Sequence, residues 1–95
     1  MDKQGSDRHL YEVLVEVRHK EKIADPEGNT IKKALSALGY DRVSRVSVGK
    51  AIRVQISADN ETEALNQVDK MTQRLLANPV LENYSISVEE SNSHA

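Results

Sequence analysis

The chain has 95 residues, of which 38% are hydrophobic and 29% charged, and its formal net charge is −2. These values are typical of one small globular domain, and the slight negative charge argues against a nucleic-acid partner. The sequence has no cysteine and no apolar run of the roughly 20 residues that a membrane-spanning helix needs. We therefore expect no disulfide, no thiolate zinc site, no membrane association and a cytoplasmic location.

The N-terminal half of the chain predicts one strand and one helix. Residues 1–9 are polar and unpatterned, which indicates a disordered arm. Residues 10–18 alternate between apolar and polar side chains and predict a strand with one apolar face. Asp25 is suited to cap a helix that begins at Pro26, and apolar residues then recur at helical spacing as far as Leu38.

Two short strands are predicted next, at residues 43–48 and 51–57, because both segments alternate with a period of two. Gly49 and Lys50 stand between them, so we expect the turn of an antiparallel hairpin there.

The C-terminal part predicts a second helix and a last strand. The helix spans about residues 59–76 and ends at Asn78 and Pro79, because proline offers no backbone N–H and forces the preceding residue out of helical geometry. The strand covers about residues 84–89, and residues 91–95 form a polar tail.

The order β-α-β-β-α-β predicts an α+β fold, the ferredoxin-like sandwich, in which a four-stranded antiparallel sheet carries both helices on one face. We assign it to residues 10–90 as a single domain. The other face of the sheet has no helix to cover it, and a half-apolar open face invites a second chain. A homo-oligomer, either a dimer or a tetramer, is expected through the residues that we place there, namely Leu10, Glu12, Leu14, Glu16 and Arg53.

No set of side chains with a catalytic or metal-binding pattern is visible in the sequence. The histidines His9, His19 and His94 are far apart in the chain. The serines lack the Gly-x-Ser-x-Gly pattern of an acyl-transfer nucleophile, and Gly49-Lys50 lacks the glycine-rich frame of a phosphate loop. We therefore expect no catalytic residue, no metal and no cofactor on this chain.

Four motifs, in this order and spacing, resemble the PurS family across residues 10–90. They are Asp25-Pro26-Glu27-Gly28, then Ala34-Leu35 followed by Leu38-Gly39-Tyr40, then Val46-Ser47-Val48-Gly49-Lys50, and last Leu75-Leu76-Ala77-Asn78-Pro79-Val80-Leu81-Glu82-Asn83-Tyr84. The chain departs from the family where Ser47 replaces a frequent basic residue and where Thr72 replaces a frequent cysteine.

The resemblance implies the small subunit of phosphoribosylformylglycinamidine synthase, an enzyme complex of purine biosynthesis. In that family a glutaminase subunit, PurQ, releases ammonia, and a large synthetase subunit, PurL, uses ATP with magnesium to activate an amide oxygen. The small subunit is expected to be non-catalytic, to pair with itself, to hold PurQ and PurL together and to help ammonia pass.

Subunit contacts are expected where loops and element ends present side chains outward from the scaffold. The candidate residues are Gly49, Lys50, Asn78, Pro79, Glu82 and Tyr84. The alternative for the corner at residues 78–84 is purely structural, with Val80 and Leu81 in the core.

Two other functions share the same element order. A ligand-sensing domain of the ACT type would need a glycine-rich turn after the first strand, where residues 19–22 are instead charged and bulky. An RNA-binding module would need aromatic side chains on the open face of the central strands, and we expect none there.

Overall fold

The computed structural model describes residues 8–91, so most of the predicted N-terminal arm and C-terminal tail, with His94, lies outside the described residues. This part of the chain holds three strands and two helices. Their bounds are β1 (His9–His19), α1 (Pro26–Ala37), β2 (Gly49–Ala58), α2 (Glu61–Met71) and β3 (Glu82–Ser91). A π-helical turn, Thr72–Leu76, continues α2.

The strands form one antiparallel sheet in the order β2-β1-β3. Val13 in the central strand faces Val54 on one side and Val88 on the other. Because side chains alternate along a strand, this register collects the apolar rows of all three strands on one face, as the alternation in the sequence predicts.

Helix α2 covers that apolar face and packs against all three strands. The buried side chains come from the central strand, the last residue of β2, the helix α2 and the residue after its π-helical turn: Tyr11, Val13, Val15, Val17, Ala58, Ala64, Val68 and Ala77. On the outer strands the apolar row is only partly buried, and it comprises Ile52, Val54, Ile56, Tyr84, Ile86 and Val88. One helix is thus enough to cover β1 but leaves both flanks of the face half open.

Both ends of α2 are fixed by side chains. Asn60 is the N-cap and accepts the N–H of Glu63 at 2.8 Å, while the Glu63 carboxylate accepts the N–H of Asp59 at 2.6 Å. In the π-helical turn the fully buried Thr72 donates its hydroxyl to the Val68 carbonyl at 2.8 Å, which satisfies this polar group inside the core.

The predicted strand at residues 43–48 is not formed, and the predicted turn at Gly49-Lys50 is wrong. Both residues are the first two of β2. A two-residue hairpin turn needs a residue with positive φ, and among the described residues only Gly39 has one, at 100°. The chain therefore runs on from residues 43–48 into β2 without reversing, and the sheet has three strands instead of four.

Residues 20–48, here named the projection, leave the sheet at the end where β1 stops and β2 starts. Within the described residues, α1 makes no extensive contact with any strand or with α2. The Cα radius of gyration is 18.1 Å and the longest extent 62 Å, whereas a compact chain of this length has a radius of about 12 Å. The predicted placement of both helices on one face is therefore not confirmed, because only α2 covers the sheet.

The projection has its own internal order. Asp25 caps α1 as the sequence predicts: its Oδ1 accepts the N–H of Gly28 at 3.0 Å and its Oδ2 accepts the N–H of Val48 at 2.9 Å. Gly28 is buried, and a Cβ at this position would clash with the carbonyl oxygen of Val46. The start of α1 therefore lies directly against residues 46–48, which lead back to the sheet.

Candidate subunit-contact site

The contact residues predicted on two separate segments meet at one end of the sheet. Strand pairing places Gly49 beside Arg18, and Glu82 beside His19 on the other side of β1. This is also the end from which the projection leaves, so it gathers the ends of three strands and the base of α1.

The corner between α2 and β3, residues 78–82, is held by its own hydrogen bonds. The N–H of Asn78 donates to Glu82 Oε1 at 2.7 Å, and Asn78 Oδ1 accepts the N–H of Val80 at 3.0 Å. The Asn78 carbonyl accepts the N–H groups of Leu81 and Glu82 at 3.1 and 2.8 Å. Asn78 and Glu82 therefore fix the shape of the corner from within.

Large apolar side chains are exposed on this corner and on the end of the helix that leads into it. Leu75 is 81% and Val80 74% exposed, and Met71 and Leu81 are partly exposed. The structural alternative, with Val80 and Leu81 in the core, is wrong. Large exposed apolar side chains are suited to protein contact, and we name Met71, Leu75, Val80 and Leu81 the corner patch.

Tyr84 lies on the face of the sheet that α2 covers. Its hydroxyl donates to Asp69 Oδ1 at 2.7 Å, and Gln73 Nε2 donates to Asp69 Oδ2 at 2.9 Å. The hydrogen bond to the Asp69 carboxylate raises the pKa of Tyr84. Its hydroxyl thus ties β3 to α2, and the role of Tyr84 in subunit contacts stays a prediction.

Lys50 and Glu82 line a shallow cavity of about 200 Å³ together with Arg18 and Glu27. A second cavity of about 320 Å³ lies at the base of the projection, and its charged and polar lining comprises Arg18, His19, Glu21, Asp25, Arg45, Ser47 and Asn83. Sequence reasoning did not assign Arg18 or Arg45 to the site, because the cavities are built from segments that only the fold brings together. For the second cavity, the predicted helix cap at Asp25 is the one feature of the sequence that indicates its position.

Of the acid–base groups that line the second cavity, the Asp25 carboxylate is held by backbone donors. Both Asp25 oxygens accept backbone N–H groups, and those of Val48 and then Gly28 hold the pKa of Asp25 below its ordinary value of 3.8. His9 and His19 stand at opposite ends of β1. Over residues 8–91, no group of three His, Asp or Glu side chains could hold a metal ion. No helix in the same range is long and apolar enough to cross a membrane.

The residues predicted for the oligomer interface lie together on the sheet face opposite the buried row: Leu10, Glu12, Leu14, Glu16 and Arg53. On that face the Arg53 guanidinium binds Glu89 through two contacts, of 2.8 and 3.4 Å. This pairing raises the pKa of Arg53. The side chains of Leu10 and Leu14 are half-exposed beside this ion pair, so the face is partly apolar.

The class of protein that these features favour is a small protein-binding subunit, because the sheet and its one covering helix carry large exposed apolar side chains at one end. The family model described as PurS, phosphoribosylformylglycinamidine (FGAM) synthase, matches residues 12–90. The chain belongs to the PurS family, as its motifs indicate. The ACT-type alternative is not favoured by this match.

Several relatives and solved structures are similar to the chain over most of its length. The synthase subunit PurS of Archaeoglobus fulgidus is 46% identical over 77 residues, which cover 81% of this chain and 94% of that protein. The crystal structure of Methanocaldococcus jannaschii PurS has 39% identity and a TM-score of 0.75, covering 84% and 96% of the two chains. A chain in the structure of PurLQS from Thermotoga maritima has 30% identity and a TM-score of 0.77, covering 83% and 96%.

Proposed function

We propose that the chain is the small, non-catalytic subunit of FGAM synthase in purine biosynthesis, where it bridges a glutaminase and a synthetase subunit and assists ammonia transfer. The match to the PurS family over residues 12–90 carries this proposal. The similar chain in a structure named PurLQS supports PurL and PurQ as its partners. ATP and magnesium belong to the synthetase subunit in this proposal, and the complex is cytoplasmic.

The coupling role is tested with purified subunits. Formation of formylglycinamidine ribonucleotide is measured with glutamine or with a high ammonium concentration, each with and without the chain. We expect the glutamine-dependent rate to require the chain and the ammonium-dependent rate to be independent of it. An unchanged glutamine rate, together with no co-elution of the three proteins, would overturn the proposal.

The contact surface proposed for the larger subunits is the corner patch with the neighbouring Lys50 and Glu82. Leu75 is 81% exposed, so a charge there leaves the core intact but cannot be buried in an apolar interface without a large desolvation cost. We expect Leu75→Asp to weaken co-elution with the larger subunits at least tenfold, and Lys50→Ala and Glu82→Ala to weaken it less.

Gln67→Asp is the matched control for Leu75→Asp, because Gln67 is an exposed polar position of the same helix. Glu82→Gln is the second control, since it keeps an oxygen that can accept the N–H of Asn78. Full assembly with Leu75→Asp, Lys50→Ala and Glu82→Ala alike would show that the contacts lie elsewhere.

Self-association through the open face of the sheet is also part of the proposal. Leu10 and Leu14 supply apolar area there, and the Arg53–Glu89 pair supplies charge. Leu14→Lys should lower the oligomeric mass measured by light scattering, while Gln67→Lys, at an exposed position of α2 on the other side of the sheet, controls for added charge. An unchanged mass with Leu14→Lys would remove this face from the assembly.

A further inference from the structure

Four side chains that can donate hydrogen bonds line the cavity of about 320 Å³ at the base of the projection, here named the base cavity. Arg18 and Asn83 are paired neighbours on β1 and β3, so both belong to the same face of the sheet. Arg45 and Ser47 belong to the segment that leads back to β2. Donors from three segments of the chain therefore surround one space.

The two carboxylates that also line the base cavity do not neutralise Arg18. Asp25 accepts backbone N–H groups through both of its oxygens. Glu21 contacts Arg45 at 3.8 Å, and the Glu21 side chain is 85% exposed. Such an exposed ion pair is weak and opens readily. Among residues 8–91, no carboxylate lies within ion-pair distance of the Arg18 guanidinium, so its charge can act on a ligand.

This set of donors fits a phosphate group better than a carboxylate. A guanidinium binds an oxyanion through two parallel N–H groups, and one arginine is enough for the two oxygens of a carboxylate. A phosphate monoester has three terminal oxygens and up to two negative charges, so it accepts from donors in several segments. The cavity volume is at the lower end of the range for small-molecule sites, which leaves room for a small group beyond the phosphate.

We propose that the base cavity binds a phosphate group, either free or at the end of a small ester. Arg18 holds the phosphate through its guanidinium, and Arg45 binds it after leaving Glu21. Asn83 and Ser47 donate to the remaining oxygens.

The phosphate site goes beyond the proposed function, because it involves this chain alone and shares no residue with the corner patch. Loss of phosphate binding would leave the proposed subunit role intact. A glutamine-dependent rate that does not need the chain would, in turn, leave the phosphate site intact.

The first test follows the backbone amides of the ¹⁵N-labelled chain by NMR while a ligand is added at constant ionic strength. The ligands are inorganic phosphate, ribose 5-phosphate and, as the control for a carboxylate, acetate. We expect both phosphates to cause saturable shifts at Arg18, Arg45, Ser47 and Asn83. Tighter binding of ribose 5-phosphate would identify the ligand as an ester, and equal affinities would identify the phosphate group alone. No saturable shift at these amides, or equal shifts with acetate, would overturn the proposal.

Variants of the cavity separate its geometry from general charge. Arg18→Gln should weaken phosphate binding at least about tenfold because it removes the guanidinium. Arg18→Lys should restore only part of the affinity, since an ammonium keeps the charge but not the planar fork. Glu21→Gln should tighten binding about threefold, because it frees Arg45 from a competing carboxylate.

Arg74→Gln is the matched control for the lost charge, because Arg74 is exposed and lines neither the base cavity nor the two cavities beside it. The amide spectrum of each variant shows whether the fold is retained. Unchanged affinity in a folded Arg18→Gln chain would overturn the proposal. An equal loss with Arg74→Gln would do the same, since it would assign the binding to overall charge.

Discussion

Asp25 shows how one side chain can fix the position of a whole helix. It accepts an N–H from within its own helix and another from Val48, 23 residues away. Sequence reasoning predicted the first bond, because a cap is a local feature, but could not predict the second. The two bonds together set the direction in which the projection leaves the sheet.

We predict that the anchoring of Val48 depends on pH through Asp25. The folded pKa of Asp25 lies below 3.8, so the charged carboxylate favours the folded state. This contribution is complete above pH 3.8 and is lost as the pH falls through the lowered pKa. Hydrogen exchange should therefore show the Val48 amide losing protection in that range, and Asp25→Ala should remove the protection at neutral pH.

The amide of Glu63 is an internal control for this experiment. It donates to Asn60, which does not titrate, so its protection should show no matching step. The same acid-dependent step at Val48 in Asp25→Ala would contradict the assignment to Asp25.

Gly28 tests the contact between α1 and the returning segment. Because a Cβ there would meet the Val46 backbone, Gly28→Ala should push the two apart and raise amide exchange throughout residues 43–48. Gly39→Ala is the comparison: it is strained by a φ of 100°, but a Cβ there meets nothing within 4 Å. Increased exchange in residues 43–48 with Gly39→Ala alone would contradict the packing argument.

At the scale of elements, α2 is the helix that stabilises the sheet. Val68 has no exposed surface and packs on the central strand, so Val68→Ala removes two buried carbon groups and leaves a cavity. We expect a loss of about 2–3 kcal/mol in the free energy of unfolding, measured in urea. Leu75→Ala, at an 81% exposed position, should change that free energy by less than about 0.5 kcal/mol. Equal losses would mean that α2 does not cover the sheet as described.

The elements that the sequence predicted well have local signals. The alternation in β1 and the cap of α1 at Asp25 depend on neighbouring residues alone, and both appear close to the predicted positions. The turn at Gly49 failed because residues 43–48 and 51–57 alternate in the same way whether or not the chain reverses between them. Glycine tolerates both a turn and a strand geometry, so its presence at position 49 did not show whether the chain reverses there.

The contact site was predictable only in part for a related reason. Asn78 and Pro79 marked the corner, since a helix must end there. The exposure of Val80 depends on how β3 pairs with β1, and the charged cavities depend on Arg18 and Arg45 meeting across the fold. Neither the exposure of Val80 nor the meeting of Arg18 and Arg45 leaves a periodic pattern or a fixed spacing in the sequence.

At the scale of the molecule, the shape is long for the number of residues, because the projection stands away from the sheet. In the described part of the chain α1 makes no extensive contact with the sheet, whereas β1 is buried on one face. Few packed contacts mean a low free energy of local opening. We therefore predict faster hydrogen exchange in α1 than in β1. Equal protection of the two elements would contradict a projection that stands away from the sheet.

The corner patch has a consequence for how fast and how tightly a partner can dock. The backbone of the corner that carries Val80 and Leu81, from Asn78 to Glu82, is already hydrogen-bonded in the free chain, and Lys20 donates a further N–H to the Leu81 carbonyl at 2.9 Å. The chain entropy of this loop is therefore lost during folding and is not lost again on binding. A partner that covers Leu75 and Val80 meets a preorganised surface, so docking needs no rearrangement of the corner.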